Sequence, residues 1–399
     1  MRLSKIHIAV ILVIACLSLF SCRQEFPDPV PSNGLARLSI HCDIPYDSVG
    51  RMDRSCLVAL YAGDNKMMDE TGKIHLRGNS TSEFPKRPFS LKFDHPISLC
   101  GMREAKSWVL LANYFDKTML RNALAFKMSE DSRLDWTPTS QFVELYYNDE
   151  PKGVYQLCEK VQVCSSRLHL SPNDWLIEID GRVDLDNDIY FYTPHMPVAW
   201  RIEWPKIPQV DSIHQFVLSA EETLFGDNLS KHDNGWRLYL DEESWIDWYL
   251  INEITKNFDA NFNSSCFLHS REGAKIVMGP VWDFDISTGN INSLGDERYP
   301  YGWHIRKTNW YARLFEDAAF REMVKKRFGY FYERRSKYSQ FLRSNAARLC
   351  PYANENDSIW HTFGVKVGPN PIAYGSYDEE VEALVLWLEQ RFEWMNENL

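Results

Sequence analysis

The sequence predicts an α+β fold, with a strand-rich N-terminal part followed by a helical C-terminal part. Two observations carry this. Before about residue 205, apolar residues alternate or form short β-branched and aromatic runs broken by turn residues; after it they recur at helical spacing. A third observation bounds the size. With 399 residues, 44% hydrophobic and 14% aromatic, the chain can bury a large core as one domain or two closely joined lobes with a cleft between them. A net charge of −11 argues against a nucleic-acid partner.

Residues 1–22 read as a targeting segment. Arg2 and Lys5 precede an apolar run over 6–20, too short for a comfortable membrane span, and Leu19-Phe20-Ser21-Cys22 resembles a lipoprotein cleavage box. Cleavage would leave Cys22 as a lipidated N-terminus, anchoring the protein to a membrane of the cell envelope, at the outer membrane or cell surface. An uncleaved anchor and plain secretion are the rival readings. Residues 23–34 (RQEFPDPVPSNG) read as an extended tether. Seven cysteines follow, so at least one is unpaired in a monomer. An oxidising compartment would permit a bond such as Cys42–Cys56, but pairing is not legible. No cysteine and histidine spacing suggests zinc.

Strands are expected over 35–65 and at Ile74-His75-Leu76-Arg77, which enters the small polar turn Gly78-Asn79-Ser80-Thr81-Ser82. Residues 89–93 (FSLKF) place Lys92 on a strand; Lys86 and Arg87 compete for any phosphate-binding role, and a surface edge-strand lysine is the plainer reading. A strand at 109–111 leads into a helix near Thr118 that carries Arg121 and Asn122. Residues 142–147 and 154–157 form a hairpin around Asn148-Asp149-Glu150. Glu159 closes it, with Glu144 as the competing interior acid. Asp184, Asp186 and Asp188 lack the glycine and terminal glutamate of a calcium loop and read as a solvated turn.

Residues 245–254 repeat Trp, Ile and Tyr at helical spacing, with Asp241 or Ser244 as N-cap. A polar loop with Asp259, Asn261 and Asn263 follows. Strands at 266–269 and 275–278 flank the turn Arg271-Glu272-Gly273, and Trp282-Asp283-Phe284-Asp285 comes after. If this last stretch were a strand, Asp283 and Asp285 would share a face. Helices are expected at 310–315, 320–347 and 377–397, with residues 351–360 a connection. Turn chemistry alone accounts for these Asp and Asn residues. Their order also suits phosphoryl transfer, which needs a carboxylate beside the attacking hydroxyl and oxygen ligands for magnesium.

FDANFNSS followed by MGPVWDFDISTGN resembles the spore coat protein H (CotH) family, whose studied members are atypical, kinase-like proteins. RGNSTS, KRPFSLKF, SWVLLANYFDKTMLRNALAFKM, GVYQLCEKV and GSYDEEVEALVLWLEQRFEWM support it in the same order, over roughly 70–399. The resemblance implies a kinase-like domain over 35–399, with an N-lobe at about 35–160, an insertion at about 161–240 and a C-lobe at about 241–399. It implies ATP- and magnesium-dependent transfer of phosphate to a protein hydroxyl, manganese being a possible substitute. Asp259 would orient or deprotonate the acceptor. Asn263 or Asn261, with Asp283 and Asp285, would hold the metal. Lys92, Arg77 and Glu159 would lie on the nucleotide side. His-Arg-Asp and Asp-Phe-Gly strings are absent, and Arg121-Asn122 stands where a kinase would supply a Glu partner for the lysine. ATP is scarce outside the cytoplasm, so a cell-surface binding or adhesion protein on the same scaffold is the alternative. An exposed aromatic patch within 291–310 would favour it. A metal-dependent hydrolase fits less well, since no histidine accompanies the carboxylates; transfer of AMP by the same cleft is a further variant.

Overall fold

A computed structural model describes residues 34–227, 229 and 235–399. The targeting segment, Cys22 and nearly all of the tether therefore lie outside the described residues.

The N-terminal half is a closed seven-stranded barrel. Its strands are β1 (Ala36–His41), β2 (Arg54–Ala62), β3 (Asn65–Leu76), β4 (Phe89–Ile97) and β5 (Ala105–Leu111), then, after helix α1 (Arg121–Glu130), β6 (Ser140–Tyr147) and β7 (Glu150–Glu159). Antiparallel pairs run round from β1 to β5, β7 and β6, and a parallel β6–β1 pair closes the ring with Ala36 beside Val143. The strand period of two explains the two faces. Leu38, Ile40, Val58, Ile74, Leu91, Trp108, Leu145 and Leu157 fill the barrel, while Val109, Phe142, Val154 and Cys158 point outward into the helical half's core. The expected 148–150 turn is present, with Asn148 and Asp149 both at positive φ, as a tight hairpin demands.

Next come β8 (Trp175–Asp180), β9 (Tyr190–Thr193), β10 (Met196–Trp204), α2 (Val210–Phe225), α3 (Glu242–Thr255), β11 (Cys266–Ser270) and β12 (Val277–Met278). A second sheet has the order β12-β11-β8-β10-β9, so the strands of residues 161–240 share hydrogen bonds with the hairpin after α3. Helices α4 (Asn309–Leu314), α5 (Ala318–Glu333), α6 (Arg335–Trp360) and α7 (Tyr377–Asn398) complete the chain. Helix α6 corrects the expected connection at 351–360, because it runs on through Pro351. Its last turns are held by tertiary bonds. Buried Lys86 donates to Asn356 Oδ1 (2.8 Å), and the Trp360 indole donates to the Lys152 carbonyl (3.1 Å). Among the described residues, no helix is long and apolar enough to cross a membrane.

Helix α3 is the axis of the larger core. Trp245, Ile246, Trp248, Tyr249, Leu250, Ile251 and Ile254 are all buried, so the helix is enclosed on every side. Asp241 caps it, accepting the Ser244 N–H at 2.9 Å. Its polar residues are committed to packing. Asp247 receives Arg133 and Arg327, and Glu253 receives Arg391.

Candidate active site

The chain leaves α3 at Lys256, whose left-handed backbone (φ 49°) turns it into a short 3-10 turn, Phe258–Ala260. The Asp259 carbonyl accepts N–H groups from Asn263 (3.1 Å) and Ser264 (3.2 Å), so the loop coils around Asp259. Asn263 also donates its side-chain amide to Asp259 Oδ1 at 3.0 Å. The Gly181 N–H donates to the Asn263 carbonyl (2.8 Å), fixing the loop to the end of β8. The buried Oδ1 of Asn261 has no hydrogen-bond partner among the described residues. An unpaired buried acceptor is costly, and a bound cation or donor would satisfy it.

Asp283 and Asp285 return to this loop, but not from a strand. Asp283 lies in the left-handed region (φ 67°), and the Phe284 N–H donates to Asn122 Oδ1 (2.9 Å) instead of to a ladder. The start of α1 shapes this stretch. Buried Asp116 accepts the Arg121 N–H (2.8 Å) and guanidinium (2.6 Å), and Arg121 Nε donates to the Ser287 carbonyl (3.1 Å). The Arg121-Asn122 pair thus clamps the acidic loop through its backbone. Ser265 Oγ donates to Asp283 Oδ2 at 3.4 Å.

Negative charge gathers here. Burial, then the neighbouring Asp283, Asp116 and Asp259, push the Asp285 carboxyl well above the ordinary carboxylate range. Asp283 is raised by burial and by Asp259, with Arg77 opposing. Arg77, at the exit of β3, faces this group. Asp283, Glu178 and Asp285 all act on its charge, and its guanidinium lies 5.6 Å from the centroid of the Trp282 ring. It makes no side-chain hydrogen bond or ion pair among the described residues. Glu178 on β8 is pushed up to about 7 by burial, against the pull of Arg201. Among the described residues, no three His, Cys, Asp or Glu side chains are gathered closely enough to cage a metal alone. A divalent ion here would need amide, water or substrate oxygens as well, which is how magnesium is commonly held.

The sign of the pH effect follows. Asp283 and Asp285 hold protons more tightly folded than unfolded. Their contribution is full below the unfolded carboxylate pKa and is lost as pH rises through the raised folded values. Asp285→Asn should therefore flatten the fall in ligand-free stability above the ordinary carboxylate range. It should raise the neutral-pH melting temperature by about 1–3 °C, read by differential scanning calorimetry across pH.

The other expected residues are placed as follows. Lys92 is half exposed and paired with Asp53 at 3.1 Å; its charge and that of Arg77 both bear on Lys160, so it borders the basic side of the site without meeting the acids directly. Glu159 is not brought to the cluster. Its strand parity turns it from the Cys158 face, and it is buried against Arg103 (2.7 Å) and the Thr139 N–H (2.9 Å). Lys86 is a buried staple, donating to the Val154 carbonyl (2.5 Å) and to Asn356. The 184–188 loop is exposed, with Asp184 accepting the Asp186 N–H at 3.1 Å, as a solvated turn would.

The sequence profile of the family described as CotH kinase protein matches residues 74–395. The chain belongs to this family. No curated protein matches the chain. The CotH match contains every acid, amide and cation of the cluster, yet begins inside β3. The strands β1 and β2 that complete the barrel lie before it. Sequence reasoning passed over Asp116, Glu178 and Ser265. Asp116 lies within one of the CotH-like blocks and was legible there; Glu178 sits in an apolar strand run and gave no signal.

Proposed function

We propose that this CotH protein is an atypical, kinase-like phosphotransferase that moves phosphate from ATP to a protein hydroxyl with magnesium or manganese. One observation carries the reading: a cluster of Asp259, Asp283 and Asp285, short of positive charge, faces Arg77, a guanidinium that lies over the Trp282 ring and makes no side-chain hydrogen bond or ion pair among the described residues. The donor set fits the cofactor. Asp283, Asp285 and the orphaned Asn261 Oδ1, or Asn263 in its place, are the hard oxygen ligands magnesium takes, and Arg77 suits phosphate. Bound metal–ATP would supply the phosphoryl group and neutralise the charge that develops on it. Asp259, oriented by Asn263, would accept the acceptor's proton. Lys92 and Lys160 would add positive potential at the rim, and Ser265 would hold Asp283. Lipid attachment at Cys22 would place this chemistry at the cell envelope, with membrane and protein substrate as its partners.

The binding-scaffold alternative has a smaller observation behind it: within residues 291–310, Tyr301 is 46% exposed and stacked on Tyr299, and Leu294 is exposed. In the same stretch, Ile305 and Trp310 are buried, and Lys256 binds the Asp296 (2.6 Å), Tyr299 (3.2 Å) and Tyr301 (2.5 Å) carbonyls. ATP with Mg²⁺ should raise the melting temperature of the parent but not of Asp283→Ala, because a ligand that binds only the folded state stabilises it. No shift in the parent at millimolar ATP would remove the nucleotide from the proposal.

A further inference from the structure

A second site lies away from the acid cluster and shares no residue with it. A groove of 1170 Å³ runs between the loop before β5, α1, β6 and α6. Trp136, Phe126, Phe142 and Phe341 give it aromatic walls; its charged lining is mixed, with Glu130 and Asp135 beside Arg103, Lys127 and Arg348, and Arg103 and Lys127 already hold acidic partners. Trp136 is 5% exposed, and its buried indole N–H has no partner among the described residues. A buried donor without an acceptor is costly, and this one, on the wall of a groove, would be satisfied by a bound acceptor.

The register of the barrel indicates what binds. β1 runs parallel to β6 from Ala36 beside Val143. Upstream of that pair the β1-side edge of β6 has no neighbouring strand among the described residues, and Ser140, Gln141 and Phe142 there line the groove. Leu35 is buried in the same core as Phe142, and its N–H donates to the Tyr352 hydroxyl (3.2 Å) on α6, one turn beyond Arg348. The described chain therefore begins at the groove's mouth, with residues 23–33 (RQEFPDPVPSN) immediately before it. That segment offers what the groove lacks. Pro27, Pro29 and Pro31 carry no N–H, so they present carbonyl acceptors and apolar rings to aromatic walls, as proline-rich ligands do. Glu25 and Asp28 complement Arg348, since Arg103 is already paired with Glu159.

We infer that this groove is the docking site for the chain's own proline-rich segment, residues 23–33, with Trp136 donating to one of its carbonyls. Docking would fix the domain's position relative to whatever holds the N-terminus. The inference does not depend on phosphoryl transfer.

Hydrogen exchange on the full chain tests it. Replacing residues 26–32 with a Gly/Ser stretch of equal length should speed exchange at residues 139–142 about tenfold, leaving the barrel interior unchanged. Trp136→Phe, which keeps the ring and removes the N–H, should give a smaller change at the same residues. Added peptide RQEFPDPVPSN should restore protection in the Gly/Ser chain, while a scrambled peptide should not. Unchanged exchange at 139–142 in the Gly/Ser chain would overturn the proposal. So would protection that appears only at concentrations where the protein dimerises, which would assign the groove to a second copy.

Discussion

Glu253→Ala is expected to lower the unfolding free energy by about 3–5 kcal/mol, the usual cost of leaving a buried charge without its partner. Glu253 and Arg391 are both fully buried and meet at 2.7 Å. Glu253 also accepts the N–H groups of His304 and Arg306, each at 2.8 Å, and Arg391 donates to the Pro300 and Gly302 carbonyls. One carboxylate therefore joins α3, α7 and the segment after the acidic loop. Removing it leaves a buried guanidinium without its counter-charge, though still bonded to backbone carbonyls, and two backbone donors unpaired. Replacing both partners with methionine should cost clearly less than Glu253→Ala, because no charge is then left buried. Urea unfolding of the two variants measures the difference. Equal costs would show that side-chain volume, not charge, is what matters at this site.

Asp259→Asn should reduce phosphoryl transfer by about 10²–10⁴-fold, the range for loss of a general base, while stabilisation by ATP and Mg²⁺ persists. The isosteric amide keeps the shape of the turn, and the groups proposed to hold metal and phosphate, Asp283, Asp285 and Arg77, are untouched. Label transferred from γ-phosphate-labelled ATP to protein hydroxyls in an envelope extract provides the reading. Full transfer by this variant would remove Asp259 from the chemistry.

The helical half was largely legible in the sequence, because helix signals are local. The Asp241 cap and the start of α7 at Tyr377 follow from caps and period alone. Helix α6 was cut short because Pro351 reads locally as a breaker, whereas its last turns are held by Lys86 and by the Lys152 carbonyl, more than 200 residues away. The acidic loop was legible as a set of residues but not as a shape. On a strand, Asp283 and Asp285 would have shared a face; the left-handed Asp283 and the distant Asn122 give the stretch another shape. Glu159 drew attention for its position at the end of the hairpin. Its Arg103 partner, fixed by strand parity across the barrel, could not be read from spacing.

The most direct measurement is calorimetric titration of ATP, with and without Mg²⁺, in two buffers of different ionisation enthalpy near neutral pH. Because Asp285 holds its proton well above the ordinary carboxylate range and Asp283 is also raised, and metal ligands must be deprotonated, binding should require Mg²⁺ and release protons. Asp283→Ala should abolish both. ATP binding that ignores Mg²⁺ and the loss of Asp283, or no binding at millimolar ATP, would contradict the assignment of this cluster as a metal–nucleotide site.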